Sequence, residues 1–371
     1  MVEMSIKKRS AAADIVRCFA FFCVVSVHFF LKNGYYTQPV KGERMFVMTV
    51  MRSFFIICVP LFLTLSGYLL RTKELSRKYY TRVTKILMTY ILSSIFCMVF
   101  SVVFQHQELS IKKMVFQLFD FTGAPYAWYV EMYLGLFLII PFLNILYNNI
   151  PSRKWKLGLV ITFLILTSLP SVINVYNLDS ISWWSLPSGS GTMHKLIPSW
   201  WVDFYPVTYY FIGCYLSEYG LKIKSGVNFI LIVLCTLLSG TYTYWRSYNA
   251  NFIWGSWCGY GSLFNIVLTV LVFVFITNMN YDKFSQRLSK FIQTVSGLCL
   301  GGYLLSWIFD SIFYPILLEK VPAVPDRLEF YFIIVPIVFI LSLILSYILS
   351  KVQQFLCIIY AKKPIDSHAP L

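Results

Sequence analysis

Residues 332–349 run for eighteen positions without a charged side chain. An α-helix needs about 20 such residues to cross a hydrocarbon core of about 30 Å. Nine comparable apolar segments precede it. The ten are predicted at roughly 11–31, 46–70, 86–105, 127–147, 157–176, 202–219, 227–245, 257–279, 292–316 and 330–350. Turn-formers and charges separate them, as in Lys32-Asn33-Gly34 and Pro322-Ala323-Val324-Pro325. Membrane strands would be short and would alternate apolar with polar residues, so these continuous runs predict helices and exclude a β-barrel. Composition agrees, with 58% of residues hydrophobic and only 13% charged. That balance excludes a disordered chain and argues against a water-soluble domain. The expected fold is an all-α integral membrane bundle of about ten transmembrane helices with both termini cytoplasmic.

The net charge of +15 is read as topological, with no nucleic-acid partner. With the N-terminus inside, twenty lysines and arginines fall on inner segments and nine on outer ones. The inner set includes Lys7-Lys8-Arg9, Arg71 to Lys85 and Arg153-Lys154; Arg17 and Arg52 lie within spans. Such alternation over ten segments is a positive-inside pattern, which a wrong span count would scramble. The basic N-terminus and following apolar run resemble a signal peptide. That run contains Asp14, Arg17 and His28 and lacks a small-residue cleavage site, so a retained first helix is expected. Nine cysteines are scattered without a C-x-x-C pair, so neither a metal site nor a disulfide framework follows. No internal repeat is evident, which weakens a transporter built from inverted halves. The long outer loop 177–201 carries Trp183-Trp184 and Trp200-Trp201, suited to the membrane interface or to stacking on a sugar ring.

Ionisable residues inside spans are costly and therefore functional candidates. Arg17 and His28 are eleven residues apart, nearly three helical turns, so they share one stripe about 16 Å long. Asp14, three residues before Arg17, can pair with it on that face. The three form a polar line on an apolar helix, suited to contact different parts of one extended ligand or water path. An interfacial Asp14–Arg17 pair with His28 capping the outer end is the alternative. Arg52 lies toward the outer end of the second segment, where it can snorkel or bind a ligand. Ser66-Gly67 near the inner end allows close backbone approach. Glu131, beside Trp128 and Tyr129, is an acid inside the fourth span and an expected partner for Arg52 or His28. Asp203 and Asp310 are weaker candidates at span edges. Arg82 is placed to meet a phosphate at the inner face or simply to obey the positive-inside rule.

At these residues the chain resembles the acyltransferase 3 family of bacterial membrane enzymes. The family pattern of an acidic residue, Arg, ten residues and His is matched by Asp14, Arg17 and His28. Val59 to Leu70 resembles its V-P-L-F-F-x-x-S-G-Y-L-L ending, with Leu63 at a Phe position. Lys78-Tyr79-Tyr80-Thr81-Arg82 resembles a following basic, aromatic stretch. Trp128, Tyr129, Gly135, Leu136, Leu138 and Pro141 match a later W-Y pattern, and the Phe211-Ile212-Gly213 turn in the sixth helix is also similar. One departure stands out: members often carry a late G-I-Y-L-I-H-P helix, and here Ser306 stands at that His.

The resemblance implies transfer of an acyl group, acetyl or another such as succinyl, from cytoplasmic acyl-CoA to a hydroxyl of an extracytoplasmic saccharide or lipid-linked glycan. It implies a bacterial inner membrane enzyme with residues 1–355 as the membrane domain and 356–371 as a short cytoplasmic tail. Acetyl-CoA would be a donor substrate, with no permanently bound cofactor. His28 would be general base or acyl carrier, Arg17 would hold a phosphate, and Asp14 would orient Arg17. Arg52, Ser66, Gly67, Arg82, Trp128, Tyr129, Glu131 and Ser306 would line the donor or acceptor site. A flippase for a lipid-linked saccharide has the same bundle and charges; dependence on an acyl donor separates the two.

Overall fold

The structure is a computed structural model that describes residues 11–189, 191 and 193–362. The Lys7-Lys8-Arg9 cluster, Lys363 and the end of the tail lie outside those residues. The helices are α1 (Ala11–Lys32), α2 (Glu43–Phe55), α3 (Cys58–Leu70), α4 (Arg77–Tyr80), α5 (Val83–Phe104), α6 (Ile111–Phe119) and α7 (Trp128–Asn148). They continue with α8 (Arg153–Thr167), α9 (Pro170–Ile173), α10 (Tyr205–Tyr219), α11 (Ser225–Ser247), α12 (Leu263–Thr277), α13 (Gln286–Lys320) and α14 (Tyr331–Lys362). No strand occurs among the described residues; a single bridge joins Val40 and Tyr248. Serine side chains fix several starts: Ser110, Ser152, Ser262 and Ser285 accept backbone N–H bonds at the first turns of α6, α8, α12 and α13.

All ten expected segments are helical, and eight stretches are long and apolar enough to cross a membrane. The fifth and sixth fall short because α8 and α10 have 15 residues each. The short α9 extends the first and a 3-10 turn at Val202–Phe204 precedes the second. The second expected span, continuous at 46–70, is broken between α2 and α3. Pro60 is the reason: it has no N–H for the Ile56 carbonyl, and its ring collides with that carbonyl in a continuous helix. The chain resumes with Leu61 N–H donating to Ile57 at 2.9 Å. Phe211-Ile212-Gly213, expected within the sixth helix, lies inside α10.

Loops gather at two ends of the bundle. At the near face, where α1 begins, Glu218 at the end of α10 bridges Arg71 after α3 and Lys156 on α8. At the far face, Arg44 at the start of α2 pairs with Asp326 and Glu329 before α14, and Arg327 donates to the Asn33 carbonyl after α1. Successive segments therefore run in alternate directions.

α1 is the central helix, packed against α2, α3, α12, α13 and α14. This placement buries Asp14 and His28. The tightest pairing is α3 with α10. A Cβ at Gly67 would overlap the Tyr210 carbonyl oxygen, and one at Gly213 would overlap that of Thr64. Two small residues thus let the backbones touch.

Candidate active site

A cavity of about 910 Å³ runs alongside α1. Arg17, Ser66, Leu69, Leu70 and Ile86 line its near end; His28, Lys32, Tyr36, Arg52, Trp128 and Trp254 line its far half. Both ends of the polar stripe on α1 open into this one space, because an eleven-residue step keeps them on one side of the helix. Between them the walls are mostly apolar, among them Val24, Val59, Phe62 and Leu65.

At the near end, Arg17 Nη1 donates to Asp14 Oδ1 at 3.2 Å and to Ser296 Oγ at 2.5 Å, and Ser296 Oγ donates to the same Asp14 oxygen at 2.6 Å. Ser296 comes from α13. The expected Asp14–Arg17 pair is therefore present and is tied to a second helix. Asp14 is 6% and Arg17 28% accessible at the side chain, so the carboxylate is enclosed while the guanidinium reaches the cavity.

At the far end, His28 Nδ1 lies 3.4 Å from Asp310 Oδ2. That separation is electrostatic contact, longer than a formed hydrogen bond, and Nδ1 has no hydrogen-bond partner. The Tyr126 hydroxyl donates to the same Asp310 oxygen at 2.7 Å. Burial first, and then the Asp310 charge, push the Tyr126 hydroxyl well above its usual range, which keeps it a protonated donor. The Tyr126 ring packs on the imidazole with centroids 3.9 Å apart. Tyr303 in turn donates its hydroxyl to the Tyr126 carbonyl. His28 is thus held by a carboxylate at one nitrogen and an aromatic face. The opposite nitrogen, Nε2, is left for the cavity that His28 lines.

Several expectations need correction. Glu131 is exposed, lines no part of the cavity and pairs with neither Arg52 nor His28. Asp310, placed among the weaker candidates, faces His28 instead. Ser306 is fully buried, donates to the Tyr303 carbonyl of its own helix at 2.8 Å and does not line the cavity. The residues one turn to either side of it reach the site instead, with Tyr303 in the wall and Asp310 behind the imidazole. Gly67 is a helix-packing residue and contributes nothing to the cavity wall. Arg82, by contrast, is exposed on the near face where it was expected, just outside the cavity wall and one turn before Ile86, which lines it.

Other residues singled out in the sequence do line the cavity. Ser66 lines the near end, although its hydroxyl donates to Phe62 of its own helix at 2.8 Å. Trp128 and Tyr129 line the cavity, and Trp128 stacks on Tyr260 at 5.6 Å. Arg52 lines it too, almost wholly buried. In the long loop, Trp183 is a core residue under the Arg246 guanidinium, and neither tryptophan pair reaches the cavity. Ser296, Tyr126 and Tyr303 escaped sequence reading, and Asp310 stood only among the weaker candidates. Each is a common residue on a distant helix or loop, and only Asp310 carried a signal, as an acid near a span edge.

A family profile described as an acyltransferase domain, Acyl_transf_3, matches residues 10–351. No curated protein and no solved structure matches the chain. With nearly the whole helical bundle covered by that profile, this chain belongs to the acyltransferase 3 family and is a multi-pass membrane acyltransferase.

Proposed function

We propose that the protein transfers an acyl group, most simply acetyl, from cytoplasmic acyl-CoA to a hydroxyl of an extracytoplasmic saccharide at a bacterial inner membrane. The observation that carries this reading is the single cavity joining Arg17 at one end to His28 at the other. The excess of twenty basic residues over nine favours the near face as cytoplasmic. An anionic nucleotide would then meet Arg17 and the exposed Arg82. The mostly apolar middle suits a thioester arm, whose acyl carbon would reach His28.

There His28 Nε2 takes the proton of the acceptor hydroxyl as its oxygen attacks the thioester carbonyl. The carbon–sulfur bond then breaks, and the departing thiolate takes the proton back from the imidazolium, leaving free CoA and an ester. Asp310, 3.4 Å from Nδ1, stabilises the imidazolium formed in between and fixes which nitrogen is free. It is a positioning residue, since it lies behind the ring. Asp14 and Ser296 hold Arg17 in the same way.

The test is release of CoA from acetyl-CoA by the purified protein in detergent, with mass spectrometry of surface glycans in cells. His28→Ala should abolish both while inserting and folding normally. Glycan acylation unchanged in that variant would refute the role given to His28. Protein that moves a lipid-linked saccharide with no acyl donor would instead establish a flippase.

A further inference from the structure

Arg52 has no task in the acyl-transfer chemistry, yet it is among the most enclosed charged side chains, 1% exposed on α2. Its Nη1 donates to the Cys258 carbonyl at 2.9 Å and its Nε to the Tyr36 hydroxyl at 3.3 Å, while Nη2 has no partner. Among the described residues no carboxylate lies within ion-pair distance of it. The rings of Phe252 and Trp254 face the guanidinium carbon at 4.9 and 5.2 Å, which offsets only part of the cost of burying the charge.

Two other buried guanidiniums show what a purely structural arginine does here. Arg327 gives all three of its nitrogens to backbone carbonyls. Arg246 leaves Nε without a partner, but both of its Nη atoms are partnered and it lies outside the cavity. Arg52 differs from both: a terminal Nη of its fork is unpartnered and it forms part of the cavity wall.

The wall around it is one-signed. Arg17, His28, Lys32 and Arg52 line the cavity, and no aspartate or glutamate does. Arg17 is already paired with Asp14 at the near end. Lys32, one turn beyond His28 on α1, lies 5.6 Å from the Tyr126 ring centroid and has no acidic partner among the described residues. The half of the cavity that holds the imidazole thus carries two unneutralised cations beside aromatic surfaces, Trp128 and Trp254, fit to stack on a sugar. A forked donor with an unused nitrogen recognises a carboxylate or phosphate.

We propose that Arg52, assisted by Lys32, receives a carboxylate or phosphate borne by the acceptor, so that the saccharide acylated by this protein is an anionic one. This rests on the acyl-transfer reading for which molecule is the acceptor, while the anion site itself stands on the geometry of Arg52.

The test measures binding without turnover, by intrinsic tryptophan fluorescence of the purified full-length protein in detergent. The probes are methyl glucuronide, glucose 1-phosphate and the neutral methyl glucoside. One or both charged probes should bind at least tenfold more tightly than the neutral one, as expected of a charge-assisted fork. R52Q should abolish the preference, R52K should keep part of it, and H28A should leave it intact. Should R52Q fail to fold, R52K and K32Q decide: a preference unmoved in both would overturn the proposal. Equal binding of charged and neutral probes, or a preference that survives R52Q, would also overturn it. So would a preference for succinyl-CoA over acetyl-CoA that R52Q removes while the glycosides bind alike, since the anion then belongs to the acyl group. Absence of acyl-CoA turnover in the wild type would refute the acyl-transfer reading but would leave these binding results to decide the anion site.

Discussion

Replacing Asp310 by Asn removes one charge from behind the imidazole and little else. The carboxylate is fully enclosed, accepts the Tyr126 hydroxyl at 2.7 Å and lies 3.4 Å from His28 Nδ1. Two unit charges at that separation interact by about 5 kcal/mol at an effective dielectric constant of about 20. That interaction exists only while the imidazole is charged, which is the state formed as the acceptor gives up its proton. Its complete loss would slow the chemical step by about three and a half orders of magnitude. An Asn oxygen still accepts from Tyr126 and retains part of the dipole, so a fall in kcat of about 10²–10³ is expected. KM for acetyl-CoA should stay within about twofold, because a donor held at the near end does not feel Asp310. The assay is thiol release from acetyl-CoA over a range of concentrations, alongside thermal unfolding in the same detergent. Asp310→Glu, which restores the charge, should recover part of kcat. A kcat near wild type in Asp310→Asn, or a loss that follows a lowered unfolding midpoint, would refute the reasoning.

Arg17→Lys should raise KM for acetyl-CoA by about tenfold with a smaller change in kcat, since an ammonium cannot serve Asp14, Ser296 and a phosphate together; Ser296→Ala should move KM in the same direction. Gly213→Ala should lower stability by about 1–3 kcal/mol or more through forced separation of α3 and α10, read as a fall in the thermal midpoint. In intact cells, a cysteine introduced at Lys154 should resist membrane-impermeant thiol reagents while one at Ser188 reacts; the reverse pattern would invert the assigned topology.

Much of the architecture was legible because it is written within single segments. Apolar runs such as Phe332 to Leu349 mark helices without reference to any neighbour. The step from Arg17 to His28 places both on one face by helix geometry alone. Loop charge orders the segments. The break before α3 was also available in principle, since Pro60 cannot sustain the preceding helical turn, but hydropathy passes over it. Glu131 misled for a related reason: an acid within an apolar segment signals an interior partner, yet the rotation of α7 in the bundle turns it outward.

Sequence alone therefore determined that this chain is a helical membrane protein, where its apolar segments lie, and that α1 carries a polar stripe. Tertiary structure decided what the stripe touches. Asp310 and Ser296 reach α1 only because α13 packs along it. Tyr126 arrives from the approach to α7, and Arg52 meets Tyr36 and Cys258 across three separate segments. Helical periodicity is an intrahelical property, fixed by the backbone. The azimuth at which one helix meets another depends on side-chain packing between stretches hundreds of residues apart, and that packing selected Asp310 over Glu131 as the carboxylate behind His28.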